Sequence, residues 1–164
     1  MAKQIPLSRG LFATVDDEDF EWLSQWKWSA LRVQKGNSAE RFYACRTDTS
    51  TGKQRMILMH RALAKPAARM NVDHRDLDTL NNRKGNLRHC NQGQNSLNQN
   101  GHSDRRGSRF KGVSWHKKNR KWISEFRGRY IGSFEKEEDA ARAYDTAAVA
   151  YSPEYARPNF AMEA

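Results

Sequence analysis

The apolar positions of this chain fall into short runs whose period changes, and the changes mark the elements. Leu11-Phe12-Ala13-Thr14-Val15 is an apolar run of strand length. Asp16 to Asp19 then place acids where a helix N-cap and first turn favour them, and Phe20, Trp22, Leu23 and Trp26 recur behind them at helical spacing. Those rings and Leu23 predict a core-facing stripe. Trp28 to Val33 and Arg41 to Arg46 alternate like paired strands, joined through Gly36-Asn37, and Gln54 to Met59 supplies a third strand after the Thr51-Gly52 turn. His60 to Ala64 reads as a short helix ended by Pro66.

Past Pro66 the pattern turns polar. Asn71 to His74 is strand-like, an Asn-rich loop follows, and Asn86 to Cys90 reads as the returning strand. Asn91, Asn95 and Asn98 then share one face of a helical segment. A polar stripe on the inward face of a helix packs poorly, and such a break with local rules points to function. Residues 99–108 hold no apolar side chain and read as a linker. From Arg109 the chain restarts with three alternating segments, Phe110 to Trp115, Lys121 to Phe126 and Arg129 to Phe134, which form an antiparallel meander. Glu135 to Tyr151 is a helix with acids in its first turn and alanines small enough to lie close on a sheet.

Charge sharpens this division. The 164 residues carry a net charge of +10, distributed as zero over residues 1–51, +6 over 52–90, +8 over 101–134 and −4 over 135–164. Two basic blocks flanking a neutral stretch point to an anionic partner. Cys45 and Cys90 lie 45 residues apart without a CxxC pair, which excludes a four-cysteine zinc site and fits two reduced thiols in a cytosolic protein. The first residues lack the apolar run of a signal peptide, and no stretch approaches the ~20 apolar residues that span a bilayer.

The candidate chemistry lies between Asp73 and Asn98. Cutting a phosphodiester near neutral pH takes an activated water and charge stabilisation at the phosphoryl group, which a divalent cation with oxygen ligands supplies. Mg²⁺ accepts few protein ligands and keeps several waters, so Asp73 with an Asn carbonyl oxygen is a sufficient set, and Mn²⁺ is an alternative ion. His74 beside it titrates in the right range to take the proton from water.

Asp73-His74, Asn81-Asn82-Arg83, Asn86-Leu87-Arg88, Asn95 and Asn98, with His60-Arg61 upstream, form a pattern that resembles the HNH endonuclease family in its phage and intron homing form. The resemblance implies two antiparallel strands, a loop and a helix around one metal ion. It implies Asp73 and Asn95 as metal ligands, His74 as general base, and Asn86 as the residue that holds the loop and orients His74 through its backbone. Asn95 stands where other members carry a second histidine, as in the homing branch. Arg61 and Arg83 are candidates for phosphate contacts.

The second basic block combines ten Lys and Arg residues with Trp115, Trp122, Phe126 and Tyr130. A small sheet of this kind can enter a major groove about 12 Å wide, its Lys and Arg residues supplying phosphate affinity. The run Arg109-Phe110-Lys111-Gly112-Val113-Ser114-Trp115, Lys121 to Arg127, Tyr130 to Phe134, Glu138 to Asp145 and Ala156 to Phe160 is similar to the plant ethylene-response-factor (Apetala-type) DNA-binding domain over about 52 residues. The similarity implies DNA-facing positions at Lys111, Gly112, Ser114, His116, Lys118, Trp122, Glu125 and Arg127, and Trp115, Arg120 and Arg129 join them on the same sheet and turns. Lys111 and Ser114 stand where plant members carry Arg, so base preference does not transfer.

The sequence therefore predicts an α+β chain: a ββα-metal HNH nuclease domain over residues 1–98 with an N-terminal α+β extension, a linker over 99–108, and over 109–160 a three-stranded antiparallel sheet packed on one helix. Together they describe a monomeric, cytoplasmic, Mg²⁺-dependent endonuclease acting on double-stranded DNA, with no membrane partner. The alternative is a non-catalytic DNA-binding regulator that retains an inactive HNH fold.

Overall fold

The computed structural model describes residues 1–34, 40–99 and 107–161; the Gly36-Asn37 turn and most of the expected linker lie outside them. The chain is mixed α and β, with small antiparallel sheets and four α-helices among the described residues, and it divides into two compact units, Met1–Gln92 and Gly93–Ala164.

In the first unit β1 (Ala2–Pro6) pairs antiparallel with β2 (Phe12–Asp16). The β1 strand is absent from the sequence expectation because it buries only Ile5 and so has no apolar rhythm. Helix α1 (Asp17–Ser24) begins with Asp17, Glu18 and Asp19, where the helix dipole favours acids. Its Leu23 is fully buried, and the Leu23 carbonyl accepts a 2.8 Å hydrogen bond from the Trp28 indole, which fixes the entry into the next sheet. That sheet comprises β3 (Ser29–Val33), β4 (Arg41–Asp48) and β5 (Arg55–Leu58), ordered in space as in sequence. Ile5, Ala13, Val15, Leu23, Trp28, Ala44 and Met59 form the core beneath it.

Helix α2 (Met59–Ala64) ends where Lys65 takes a left-handed conformation, one residue before Pro66. The hairpin of β6 (Asn71–His74) and β7 (Leu87–Cys90) pairs Asp73 with Arg88 and His74 with Leu87. Helix α3 (Gln92–Leu97) follows it in the chain; its first residue closes the first unit and the others belong to the second.

In the second unit β8 (Val113–His116), β9 (Lys121–Phe126) and β10 (Arg129–Phe134) form an antiparallel meander with β9 at its centre. Helix α4 (Glu137–Tyr151) packs on it through Ala140 and Ala141 against Val113, Trp122 and Phe134. The first strand starts later than its apolar pattern predicts, because Gly112 turns the chain with φ of +78°. A Cβ there would stand 1.8 Å from the Tyr144 ring, so the position demands glycine for space as well as for conformation.

Candidate functional site

Asp73 and His74 end β6 side by side, and both are about 95% buried, being 5% exposed. Strand neighbours point to opposite faces, and their surroundings differ accordingly. Asp73 faces its cross-strand partner Arg88: one carboxylate oxygen, Oδ2, accepts from Nε at 2.8 Å and from Nη2 at 2.7 Å. Both side chains are buried, so this pair lies in a low-dielectric setting where neither charge tolerates loss of the other. Sequence reasoning missed Arg88; the signal was there in the hairpin register, which becomes readable once β6 and β7 are paired.

His74 packs in a cluster of rings. Its centroid lies 5.2 Å from His60 and 6.2 Å from Tyr43, and Tyr43 lies 5.5 Å from His60. Burial pulls the His74 pKa below its usual value, while a hydrogen bond with the Asn82 side chain and the carboxylates of Asp76, Asp73 and Asp78 oppose the shift. The ring is therefore neutral at pH 7, the state a proton acceptor needs. His60 is pulled further, to about 3, first by burial and then by the charges that His74 and Arg61 can carry. Its Nδ1 is buried with no hydrogen-bond partner among the described residues.

The loop between the strands is knotted by amides and carboxylates. Asn86 Nδ2 donates to Asp76 Oδ1 at 2.9 Å and to the Asn81 carbonyl at 2.8 Å, while its Oδ1 accepts the Asp76 amide at 3.1 Å. Asn81 Nδ2 donates to the other Asp76 oxygen at 2.7 Å. The Asn86 carbonyl accepts the Arg75 amide at 3.0 Å, next to His74 in the chain. Asn86 thus ties the loop and the residue after His74 together. Asp76 is its centre, and the sequence reading did not single it out.

The N-terminal extension buttresses the same loop. Thr14 accepts the Asn82 amide at 2.7 Å and donates to the Leu80 carbonyl at 2.9 Å. Asp16 accepts from Arg83 Nε at 2.9 Å and from the Lys84 amide at 2.8 Å; these bonds outweigh burial and hold its carboxyl below the usual range. Arg83, a candidate phosphate contact by sequence, is half-exposed and bonds Asp16 through Nε. Arg61 is exposed and reaches the Met70 carbonyl at 3.3 Å. Asn95 is half-buried on α3, in the second unit, whereas Asp73 and His74 belong to the first. Among the described residues no group of three or more His, Cys, Asp or Glu side chains converges as a metal cluster. Cys45 and Cys90 are unpaired thiols.

The second unit sorts its candidate DNA residues by sheet face. Register pairs Trp115 with Trp122 and Val113 with Ser124 on the side that carries α4. Trp122 packs on that core and meets Trp115 at 5.0 Å, so neither indole lies on the open face where the sequence reading put them. The open face carries Ser114, His116, Lys121, Ile123, Glu125, Tyr130 and Ser133, with Tyr130 62% exposed. Lys118 and Arg120 stand exposed in the turn beside it, and Arg129 is exposed at the start of β10. Arg127 lies over the Tyr151 ring at 4.4 Å. Lys121 and Ile123 were missed as face residues, although the period of two could have placed them opposite Trp122; Tyr130 joins them only through the register shift between Tyr130 and Gly132.

Lys111 and Gly112 depart most from expectation. Lys111 Nζ donates to three backbone carbonyls, those of Arg157 at 2.7 Å, Leu97 at 2.8 Å and Gln99 at 2.9 Å. Burial lowers its pKa to about 8, with Asp145 opposing that shift and Arg157 adding to it. Gly112 is covered by Tyr144. Both residues serve the inside of the unit rather than a surface for DNA.

Compared with protein-family models, with curated proteins and with solved structures, the chain gave no match.

Proposed function

We propose that this chain is a metal-dependent DNA endonuclease of the HNH type, with a ββα-metal site in its central segment and a DNA-binding sheet after it. The observation that carries the reading is that a buried carboxylate and a buried neutral imidazole are neighbours at the end of β6, next to a loop that Asn86 ties. His74 would accept the proton of the attacking water at a ring nitrogen. Asp73 would offer its carboxylate, and Asn95 its amide oxygen, to Mg²⁺ or Mn²⁺, and such hard oxygen donors suit an ion that keeps most of its water. Such an ion, when bound, supplies charge stabilisation at the phosphate. Arg88 holds the Asp73 carboxylate in place through two bonds to Oδ2.

Duplex DNA would meet the open face of the β8–β10 sheet. Ser114, His116, Lys121, Glu125 and Tyr130 offer side chains to base edges, and Lys118, Arg120 and Arg129 offer charge to phosphates. None of the helices is long and apolar enough to cross a membrane among the described residues, and the proposed setting is a monomer in the cytoplasm of a bacterial or phage-infected cell. The second reading, a DNA-binding regulator with an inactive nuclease fold, is favoured by the Arg88 guanidinium already occupying Asp73 Oδ2.

Plasmid nicking in Mg²⁺ separates the two. Asp73→Asn should lose nicking while retaining duplex affinity. Equal nicking by wild type and variant would reject the metal-ligand role, and intact binding without nicking by wild type would select the regulator.

A further inference from the structure

The three carbonyls around Lys111 come from two separate stretches of chain. Leu97 and Gln99 flank the C-terminal end of α3, and Arg157 lies in the segment after α4. The Arg157 amide also donates to the Leu97 carbonyl at 3.2 Å. Lys111 itself is held from behind. Its amide donates to Asn159 Oδ1 at 2.8 Å, and its carbonyl accepts Asn159 Nδ2 at 3.1 Å. Asn159 in turn is fixed by Asp145, which is 4% exposed and accepts the Asn159 amide at 2.8 Å, its Nδ2 at 2.9 Å and the Phe160 amide at 3.0 Å. An ammonium withdrawn from water is tolerated when its three protons all find acceptors, and here they do. The residues that close this network, from Leu97 to Phe160, all belong to the second unit.

We infer that Lys111 is a positioning residue: its ammonium clasps the end of α3, and with it Asn95, to the sheet-bearing unit, so that one unit carries both the DNA face and a metal ligand. The inference rests on the proposed endonuclease reading. It runs against the expectation that Lys111 faces DNA, because an ammonium with three carbonyl partners has no proton left for a phosphate. It gives the short helix α3 a reason to stay folded, since six residues of Gln, Gly, Asn, Ser and Leu have little helix stability of their own. It also predicts that Arg is a poor substitute. Three carbonyls converge on one nitrogen, whereas a guanidinium spreads its donors over a plane.

The test uses the full chain with Lys111→Met, and with Lys111→Arg as the variant that keeps the charge if the first fails to fold. Three quantities are read: amide hydrogen exchange over residues 95–99, the salt dependence of affinity for a short duplex, and the Mg²⁺ concentration giving half-maximal nicking. A clasp predicts exchange over 95–99 faster by about tenfold or more. It predicts an unchanged salt slope, and a Mg²⁺ midpoint raised by about tenfold, the scale on which supporting groups tune metal affinity. A salt slope reduced by about 0.9 with exchange unchanged would make Lys111 a phosphate contact and overturn the inference. Faster exchange with an unmoved Mg²⁺ midpoint would also overturn it, because the clasp would then not position Asn95. If the wild type does not nick, it is the endonuclease reading that has failed; exchange and salt slope then still decide between clasp and phosphate contact.

Discussion

Arg88 and Asp73 form the most consequential pair in the first unit, since both are buried and share one carboxylate oxygen. Removing one partner leaves an uncompensated charge inside, and Arg88→Met should lower stability by about 3–5 kcal/mol in urea unfolding. The double variant Asp73→Leu with Arg88→Met should recover most of that loss, because well-packed apolar groups replace a buried pair at little cost. A double variant as unstable as the single one would mean that the cost is packing and not charge. His60 makes a second residue-scale prediction. Its folded pKa of about 3 lies below its ordinary value of 6.5, so the folded state binds fewer protons than the unfolded one in between. The stability it contributes is present above pH 6.5 and is lost as pH falls towards 3. The slope from this one group approaches about 1.4 kcal/mol per pH unit, and His60→Phe should remove it. An acid limb unchanged in His60→Phe would contradict the burial of a neutral imidazole. At this scale the sequence was legible where neighbours in the chain are neighbours in space. Asp73 and His74 stand together in both. Arg88 was hidden by its 15-residue separation from Asp73, and Lys111 was misread because its acceptors are backbone carbonyls, which leave no mark in side-chain identity.

At the scale of elements, apolar period did most of the work. The bounds of β6, β9 and β10 coincide with the strand-like runs read from the sequence. The β1 strand escaped because pairing with β2, and not an apolar face, is what holds it. Pattern alone left the face of Trp122 open for a related reason. Tryptophan reads equally well as core or as ligand platform, and only the register with α4 shows that Trp122 is core. Gly112 is the point on which β8 and α4 join. Gly112→Ala forces a left-handed backbone and a collision with Tyr144, and should destabilise the second unit by about 3 kcal/mol or more. Differential hydrogen exchange would resolve this, with protection lost in β8 to β10 and kept in β3 to β5. Loss confined to neither region, or spread equally over both, would contradict the role assigned to the glycine.

For the whole molecule, the chain's two units divide the proposed work. The first unit holds the buried Asp73 and His74 and the loop that Asn86 ties. The second holds the open, partly basic sheet face and the half-buried Asn95. The charge blocks read from the sequence fall on either side of this division, and within the second unit the Leu97 and Gln99 carbonyls accept from Lys111. Composition could not reveal that, since it marks where a chain is polar and not which neighbour it bonds. The central claim is that His74, neutral and buried, is the base of a DNA-cutting site. Single-turnover nicking of supercoiled plasmid in Mg²⁺, at protein concentrations that saturate the DNA, tests it most directly. The account predicts that wild type nicks and that His74→Ala, with unchanged duplex affinity, is slower by about 10²-fold or more. Equal nicking rates for the two proteins would contradict it.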